Sequence, residues 1–122
     1  MPPPHPSPRD STDFLIEIGA RATLDSEDAM CSVAFSTIDN HRGTGWIRNA
    51  GTGTDVSEGT FAYNSWNELM SGENAIKVHL EASILTIEFL VNDDVVGVYV
   101  GTAEVFGPDK EGTGKFDWQR QE

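Results

Sequence analysis

The sequence predicts an all-β protein that folds as a single closed, eight-stranded antiparallel β-barrel with Greek-key or meander connections. Three observations support this prediction. Apolar and polar residues alternate over several short segments, as in half-buried strands. Clusters of glycine, asparagine and aspartate separate these segments and are typical of turns. Only one short segment has a helical signal, and closing the sheet removes its exposed edges. A β-sandwich of the same strands is the alternative fold.

The two ends of the chain differ in composition. Residues 1–11 contain five of the six prolines, which cannot donate hydrogen bonds to a sheet. We therefore expect a disordered proline-rich tail over 1–11 and a barrel domain over 12–122. The tail has no apolar segment typical of a signal peptide, which favours a cytoplasmic protein. No run of about 18 apolar residues occurs, so we expect no transmembrane segment.

The first half of the barrel domain contains four segments of strand character. In the first, Phe14, Ile16 and Ile18 alternate with polar residues and should share one face. The predicted strands cover residues 13–24, 30–38, a segment beginning at 45–47, and 60–63. Acidic and glycine-rich turns separate them, the first over 25–28.

A single helical signal follows the fourth strand. Ser65 and Glu68 have the spacing of a capping box, in which the serine hydroxyl accepts a hydrogen bond from the backbone N–H three residues later. Gly72 provides a stop. We expect one or two helical turns over 65–71, with Trp66 and Met70 on one face closing an end of the barrel.

The segments 75–81 and 84–91 show the clearest alternation. A tight turn at residues 82–83 places Val78 opposite Ile87 and Lys77 opposite Glu88, which is chemically consistent on both faces. The inward residues of this hairpin are predicted to be Ile76, Val78, Leu80, Leu85, Ile87 and Phe89, with Lys77, His79 and Glu88 outward.

A second hairpin extends the same sheet. A turn at residues 92–94 that pairs Phe89 with Val98 predicts that Val98 and Val100 face inward and Tyr99 faces outward. Extending this alternation turns Glu104 inward.

The last predicted strand covers 114–119, after a long turn over 107–112. Phe116 and Trp118 should face inward, and Lys115 and Asp117 outward.

Charge and motifs exclude several functions. The formal net charge is -12, so we expect no nucleic-acid binding, which depends on clustered lysine and arginine. Cys31 is the single cysteine and is expected to be a small core residue. The three histidines, His5, His41 and His79, are too dispersed to predict a metal site, and no motif predicts a cofactor.

Two sets of residues are candidates for a site. An inward Glu104 in a barrel interior would be a weak candidate for a general acid or base, although a strand bulge would expose it. If the barrel is hollow, aromatic residues would line a ligand cavity; these are Trp46, Tyr63, Trp66, Phe89 and Trp118. Such residues more commonly form the core.

Short motifs over residues 43–118 resemble the virulence-associated protein (Vap) family known from a Rhodococcus pathogen. They are Gly45-Trp46, Gly59-Thr60 before Tyr63, the predicted helix from Trp66 to Leu69, the segment 85–89, the segment 97–101 and the glycine-rich ending 112–118. The resemblance implies a compact eight-stranded antiparallel barrel without settled enzymatic activity or established catalytic residues.

Two functions therefore stay open. The first is a non-enzymatic interaction or effector-like barrel that binds a protein partner. The second is a barrel that binds an apolar small molecule, or a cavity-type isomerase or cyclase that shapes a flexible substrate. A filled interior would favour the first function, and a cavity above about 300 Å³ would favour the second.

Overall fold

A computed structural model describes residues 14–27, 29–48, 53–105 and 109–119. Within these residues, eight strands close into one antiparallel barrel, which confirms the predicted barrel and rules out the sandwich. The elements are β1 (Ile16–Glu27), β2 (Met30–Thr37), β3 (Arg42–Arg48), β4 (Gly53–Tyr63), α1 (Trp66–Leu69), β5 (Asn74–Glu81), β6 (Ile84–Val91), β7 (Asp94–Val105) and β8 (Lys110–Trp118). The predicted tail over 1–11 lies outside the described residues.

The strands follow the order β1-β2-β3-β8-β5-β6-β7-β4 around the barrel. Hairpins join β1 to β2, β2 to β3, β5 to β6 and β6 to β7, whereas β8 inserts between β3 and β5 and β4 closes the barrel between β7 and β1. No helix in the described part of the chain is both long and apolar enough to span a membrane.

Three strands extend beyond their predicted bounds. β1 continues to Glu27, where Ser26 pairs with Cys31, so the turn predicted over 25–28 starts too early. β4 begins at Gly53, and β8 begins at Lys110 inside the predicted long turn. In both strands the added segment carries a charged residue that faces inward, Asp55 or Lys110. Because charged residues are rarely buried, hydrophobic alternation alone did not reveal these segments.

The β5–β6 hairpin has the predicted register. Val78 pairs with Ile87, Lys77 pairs with Glu88, and the inward residues of both strands are buried. The turn is a two-residue connection in which Ala82 and Ser83 both have positive φ. A two-residue turn with positive φ at both positions matches the twist of the flanking strands. This match outweighs the poor preference of alanine for positive φ.

The β6–β7 hairpin corrects the prediction for the second half of the meander. Phe89 pairs with Gly97 and Ile87 pairs with Tyr99, and the register shifts between Phe89 and Leu90. Asn92 and Asp93 form a two-residue turn with positive φ, and this turn together with the bulge moves β7 by one residue relative to the predicted pairing.

The shift reverses the faces of β7. Tyr99 is fully buried in the core, whereas Val100 is 38% exposed, so the inward placement of Val100 and the outward placement of Tyr99 were wrong. Val98 is buried, as predicted, but it lies outside the core cluster that contains Tyr99. The Tyr99 hydroxyl lies 2.8 Å from Ser57 Oγ, and Ser57 in turn donates to the Ala22 carbonyl. Burial raises the pKa of Tyr99 and keeps this hydroxyl neutral.

Aromatic rings fill the barrel. The ring of Phe35 lies 5.1–5.2 Å from the rings of Phe61, Phe89 and Tyr99, and Phe89 lies 5.1 Å from Phe116. Most of these contacts are edge-to-face, the arrangement that aromatic quadrupoles favour. The rings therefore pack against one another across the interior.

Glycine makes this packing possible where β3 meets β8. A Cβ on Gly114 would lie 1.6 Å from the Trp46 carbonyl oxygen, and a Cβ on Gly43 would lie 2.6 Å from the Phe116 ring. Both positions therefore need glycine because backbone or ring atoms occupy the space of a side chain.

Gly114→Ala is expected to lower the free energy of unfolding by about 3 kcal/mol, since backbone atoms cannot move aside without disturbing the β3–β8 pairing. Gly72→Ala is the matched control, because its Cβ would meet only the Val91 side chain at 3.3 Å. Urea unfolding of both variants measures the difference. Equal losses in the two variants would show that the strands are not this close.

The helix is shorter than predicted and closes the barrel differently. Ser65 caps α1 by accepting the Glu68 N–H at 3.1 Å, as the capping box predicted. Leu69 is fully buried, whereas Met70 is 41% exposed. Leu69 and Trp66, rather than Met70, therefore cover this end of the core.

Candidate functional site

Four of the five predicted aromatic site residues meet at the end of the barrel that α1 covers. The Trp66 ring lies 4.6 Å from Tyr63 and 5.2 Å from Trp118, and Trp118 lies 5.4 Å from Phe89. Phe89 and Tyr63 are buried, while Trp66 and Trp118 are partly exposed. They form a packed aromatic cluster whose outer members reach the surface.

The fifth aromatic residue, Trp46, and the candidate general acid or base, Glu104, lie elsewhere. Trp46 alternates with the buried Ile47 and lies on the outer face of β3, with the Arg48 guanidinium 5.5 Å from its ring centroid. Glu104 is exposed on the outer face of β7, so its predicted inward position was wrong. The one-residue shift in β6–β7 that buries Tyr99 also turns Glu104 outward.

A groove of about 530 Å³ opens beside the aromatic cluster, and we call it the helix-end groove. It combines aromatic, apolar and polar side chains from β8, the β2–β3 turn and the segment after α1. Its lining residues are His41, Met70, Gly72, Asn74, Phe116, Asp117 and Trp118.

Asp39 organises one side of this end. It accepts hydrogen bonds from Thr37 Oγ1 and from Trp66 Nε1, the latter at 3.1 Å, and its Oδ1 lies 3.0 Å from His41 Nδ1. The His41 ring stacks on Trp66 with centroids 3.7 Å apart. Asp39 thus fixes the rings of His41 and Trp66 at this end of the barrel.

The electrostatics of Asp39 follow from these contacts. Burial raises the pKa of this carboxyl, but the hydrogen bonds from Thr37, His41 and Trp66 outweigh burial and lower the pKa below its ordinary value of 3.8. Because the folded-state pKa is the lower one, the stabilisation is fully present above the unfolded-state pKa. It is lost as the pH falls through the folded-state pKa.

Asn74 fixes the other side of the groove. Its Nδ2 donates to the carbonyls of Leu69 at 2.7 Å and Gly72 at 3.2 Å, which ties the end of α1 to β5. Its Oδ1 accepts from Trp118 Nε1 at 3.4 Å. These hydrogen bonds therefore fix the orientation of the Trp118 indole beside the groove.

Sequence reasoning missed a buried ion pair at the opposite end of the barrel. Lys110 Nζ lies 2.5 Å from Asp55 Oδ2, and both side chains are fully buried. Lys110 also donates to Ser26 Oγ at 3.3 Å, and Cys31 is buried on the neighbouring strand. Burial raises the pKa of the Cys31 thiol, so it stays protonated and unreactive, as expected for a core cysteine.

The fold and the groove define a class: a small, closed antiparallel barrel with an aromatic-filled interior and a surface groove at its helix-covered end. Among the described residues, no three histidine, cysteine, aspartate or glutamate side chains lie close enough together to hold a metal ion.

Two solved structures share this fold. Virulence-associated protein VapB from the intracellular pathogen Rhodococcus equi matches with a TM-score of 0.77 and 14% identity, over 87% of this chain and 98% of VapB. VapD from the same organism matches with a TM-score of 0.71 and 18% identity, over 85% of this chain and 97% of VapD. The resemblance to the Vap family, and the fold that it implied, are confirmed at the level of structure.

At the level of sequence, no protein-family model matches the chain. No curated protein matches it either.

Proposed function

We propose that the protein is a non-enzymatic interaction protein that binds a partner protein in the helix-end groove. The observation that carries this proposal is the contrast between the interior and the surface. Aromatic rings fill the described interior, whereas the groove is open and the indoles beside it, Trp66 and Trp118, donate hydrogen bonds to Asp39 and Asn74. The fold shared with two virulence-associated proteins agrees with a role in interaction.

The chemistry of the groove suggests the kind of partner. Met70 and Trp118 offer apolar and aromatic surface, and the Asp117 carboxylate lies beside them. The net charge of -12 attracts a basic partner from a distance. An indole face also binds cations favourably. A partner segment that alternates arginine with leucine would satisfy both the apolar and the acidic parts of the groove.

The packing favours this proposal over an internal small-molecule or isomerase site. Phe89 would have to line such a cavity, but it is fully buried with ring neighbours on several sides. A ligand in the interior would need to displace these rings.

The test is binding of a labelled peptide of alternating arginine and leucine, followed by fluorescence anisotropy. We expect affinity that weakens as salt increases, and no binding of a glutamate–leucine peptide. Asp117→Lys should weaken binding by about fivefold, because a rim carboxylate becomes a repelling cation.

Glu104→Lys is the matched control, since it changes the net charge equally on the outer face of β7. If it weakens binding as much as Asp117→Lys, only overall charge matters and the groove is not the site. Equal binding of the two peptides would also contradict the proposal.

A further inference from the structure

A second groove, of about 510 Å³, lies on the outer face of β3, β8, β5 and β6 and shares no lining residue with the helix-end groove. We call it the outer groove. It brings two cationic side chains and two threonines together with a histidine and two glutamates. Its lining residues are Arg48, Lys77, Val78, His79, Thr86, Glu88, Glu111, Gly112 and Thr113.

The strand registers explain why these side chains meet. Lys77 pairs with Thr113 on β8 and with Glu88 on β6, which makes one row across the sheet. Arg48 is the last residue of β3, and continuing the β3–β8 register places it next to Thr113. The short threonine thus lies between a long arginine and a long lysine, with strands about 4.8 Å apart.

The next row supplies hydrogen-bonding groups of both kinds. His79 pairs with Glu111 on β8 and with Thr86 on β6. The His79 ring lies 3.1 Å from the Glu81 carboxylate and 3.8 Å from that of Glu111. This row offers both acceptors and donors to a ligand rich in hydroxyl groups.

The outer groove contains two cations, Arg48 and Lys77, and two carboxylates, Glu88 and Glu111. Two other surface cations, Arg21 and Lys115, form ion pairs with Glu58 and Glu73. Arg48 and Lys77, like Arg42, form no ion pair with a carboxylate in the part of the chain that the structure describes. Lys77 nevertheless lies near Glu88: burial raises the pKa of this carboxyl, and the charge of Lys77 counteracts that rise. The Trp46 ring, 5.5 Å from the Arg48 guanidinium, holds that group by a cation–π contact that leaves its N–H donors available.

We infer that the outer groove binds a sugar acid, with its carboxylate between Arg48 and Lys77 over the Thr113 hydroxyl. The sugar hydroxyls then reach the row formed by His79, Glu111 and Thr86. A bare oxyanion would fill only part of the volume, and Glu88 and Glu111 repel a ligand with several negative charges. A sugar ring with several hydroxyl groups and one carboxylate fills more of the groove and carries only one negative charge.

The experiment is a titration of the isotope-labelled protein with D-glucuronate, followed by amide chemical shifts, with D-glucose and acetate titrated separately. We expect saturable shifts at Arg48, Lys77 and Thr113 with millimolar affinity. Acetate and glucose should each bind more weakly by about tenfold, because each supplies only one half of the contacts.

Arg48→Gln and Lys77→Gln should each weaken glucuronate binding by about fivefold or more, as removal of a charged hydrogen-bond donor does. Arg21→Gln removes an equal charge at an ion pair outside the groove and should change nothing. Acetate binding as tightly as glucuronate, shifts elsewhere on the barrel, or equal loss in Arg21→Gln would each overturn the inference. Because the readout is local to the outer groove, failure here is distinguishable from failure of peptide binding at the helix end.

Discussion

Lys110→Met is expected to lower the free energy of unfolding by about 3–5 kcal/mol, because it removes the ammonium group that pairs with the buried Asp55 carboxylate. The pair spans the barrel, since β4 and β8 are not neighbours in the sheet. Desolvated charges contribute little net stability while paired, but one charge without the other is strongly unfavourable. Urea unfolding followed by tryptophan fluorescence measures the loss.

The double substitution Asp55→Val with Lys110→Met is the control for this prediction. With both charges removed, the free energy of unfolding should return close to that of the wild type or exceed it. A double variant as unstable as the single one would show that the ion pair itself stabilises the fold. A single variant that loses less than about 1 kcal/mol would show that the pair is exposed to water.

Phe89→Ala should cost about 3–5 kcal/mol, because it removes a ring packed among Phe35, Phe61 and Phe116 and leaves a cavity. Lys77→Ala, on the outer face of the adjacent strand, should cost under about 1 kcal/mol. Chemical unfolding of both variants under the same conditions gives the comparison. Similar losses for the two would mean that the faces of the β5–β6 hairpin are misassigned.

Of two adjacent hairpins, the register of one could be predicted from the sequence and the register of the other could not. In β5–β6, the alternation of both strands and a two-residue turn agree, so the register followed from the sequence. In β6–β7, valines occupy both faces of β7, and hydrophobicity alone did not distinguish Val98 from Tyr99. The dipeptide Asn92-Asp93 could have indicated the correct register of β6–β7, because both residues are suited to the positive φ of a two-residue turn.

The candidate site was predictable only in part. The capping box of α1 and the inward Trp118 followed from local patterns, and they place the aromatic cluster. The network of Asp39, His41 and Trp66 joins residues distant in sequence, so no local pattern reveals it. The same holds for Asp55 and Lys110, whose charges ordinarily indicate exposed positions.

Xenon binding measures whether the interior of the barrel is filled. Xenon enters dry apolar cavities and shifts the resonances of the side chains around them. In the wild-type protein, methyl and aromatic resonances of the core, including those of Phe35 and Ile87, should not change with xenon pressure. Phe89→Ala should show saturable shifts at the same residues, as a positive control for a created cavity. Saturable core shifts in the wild type would contradict the account and restore the hollow, ligand-binding barrel.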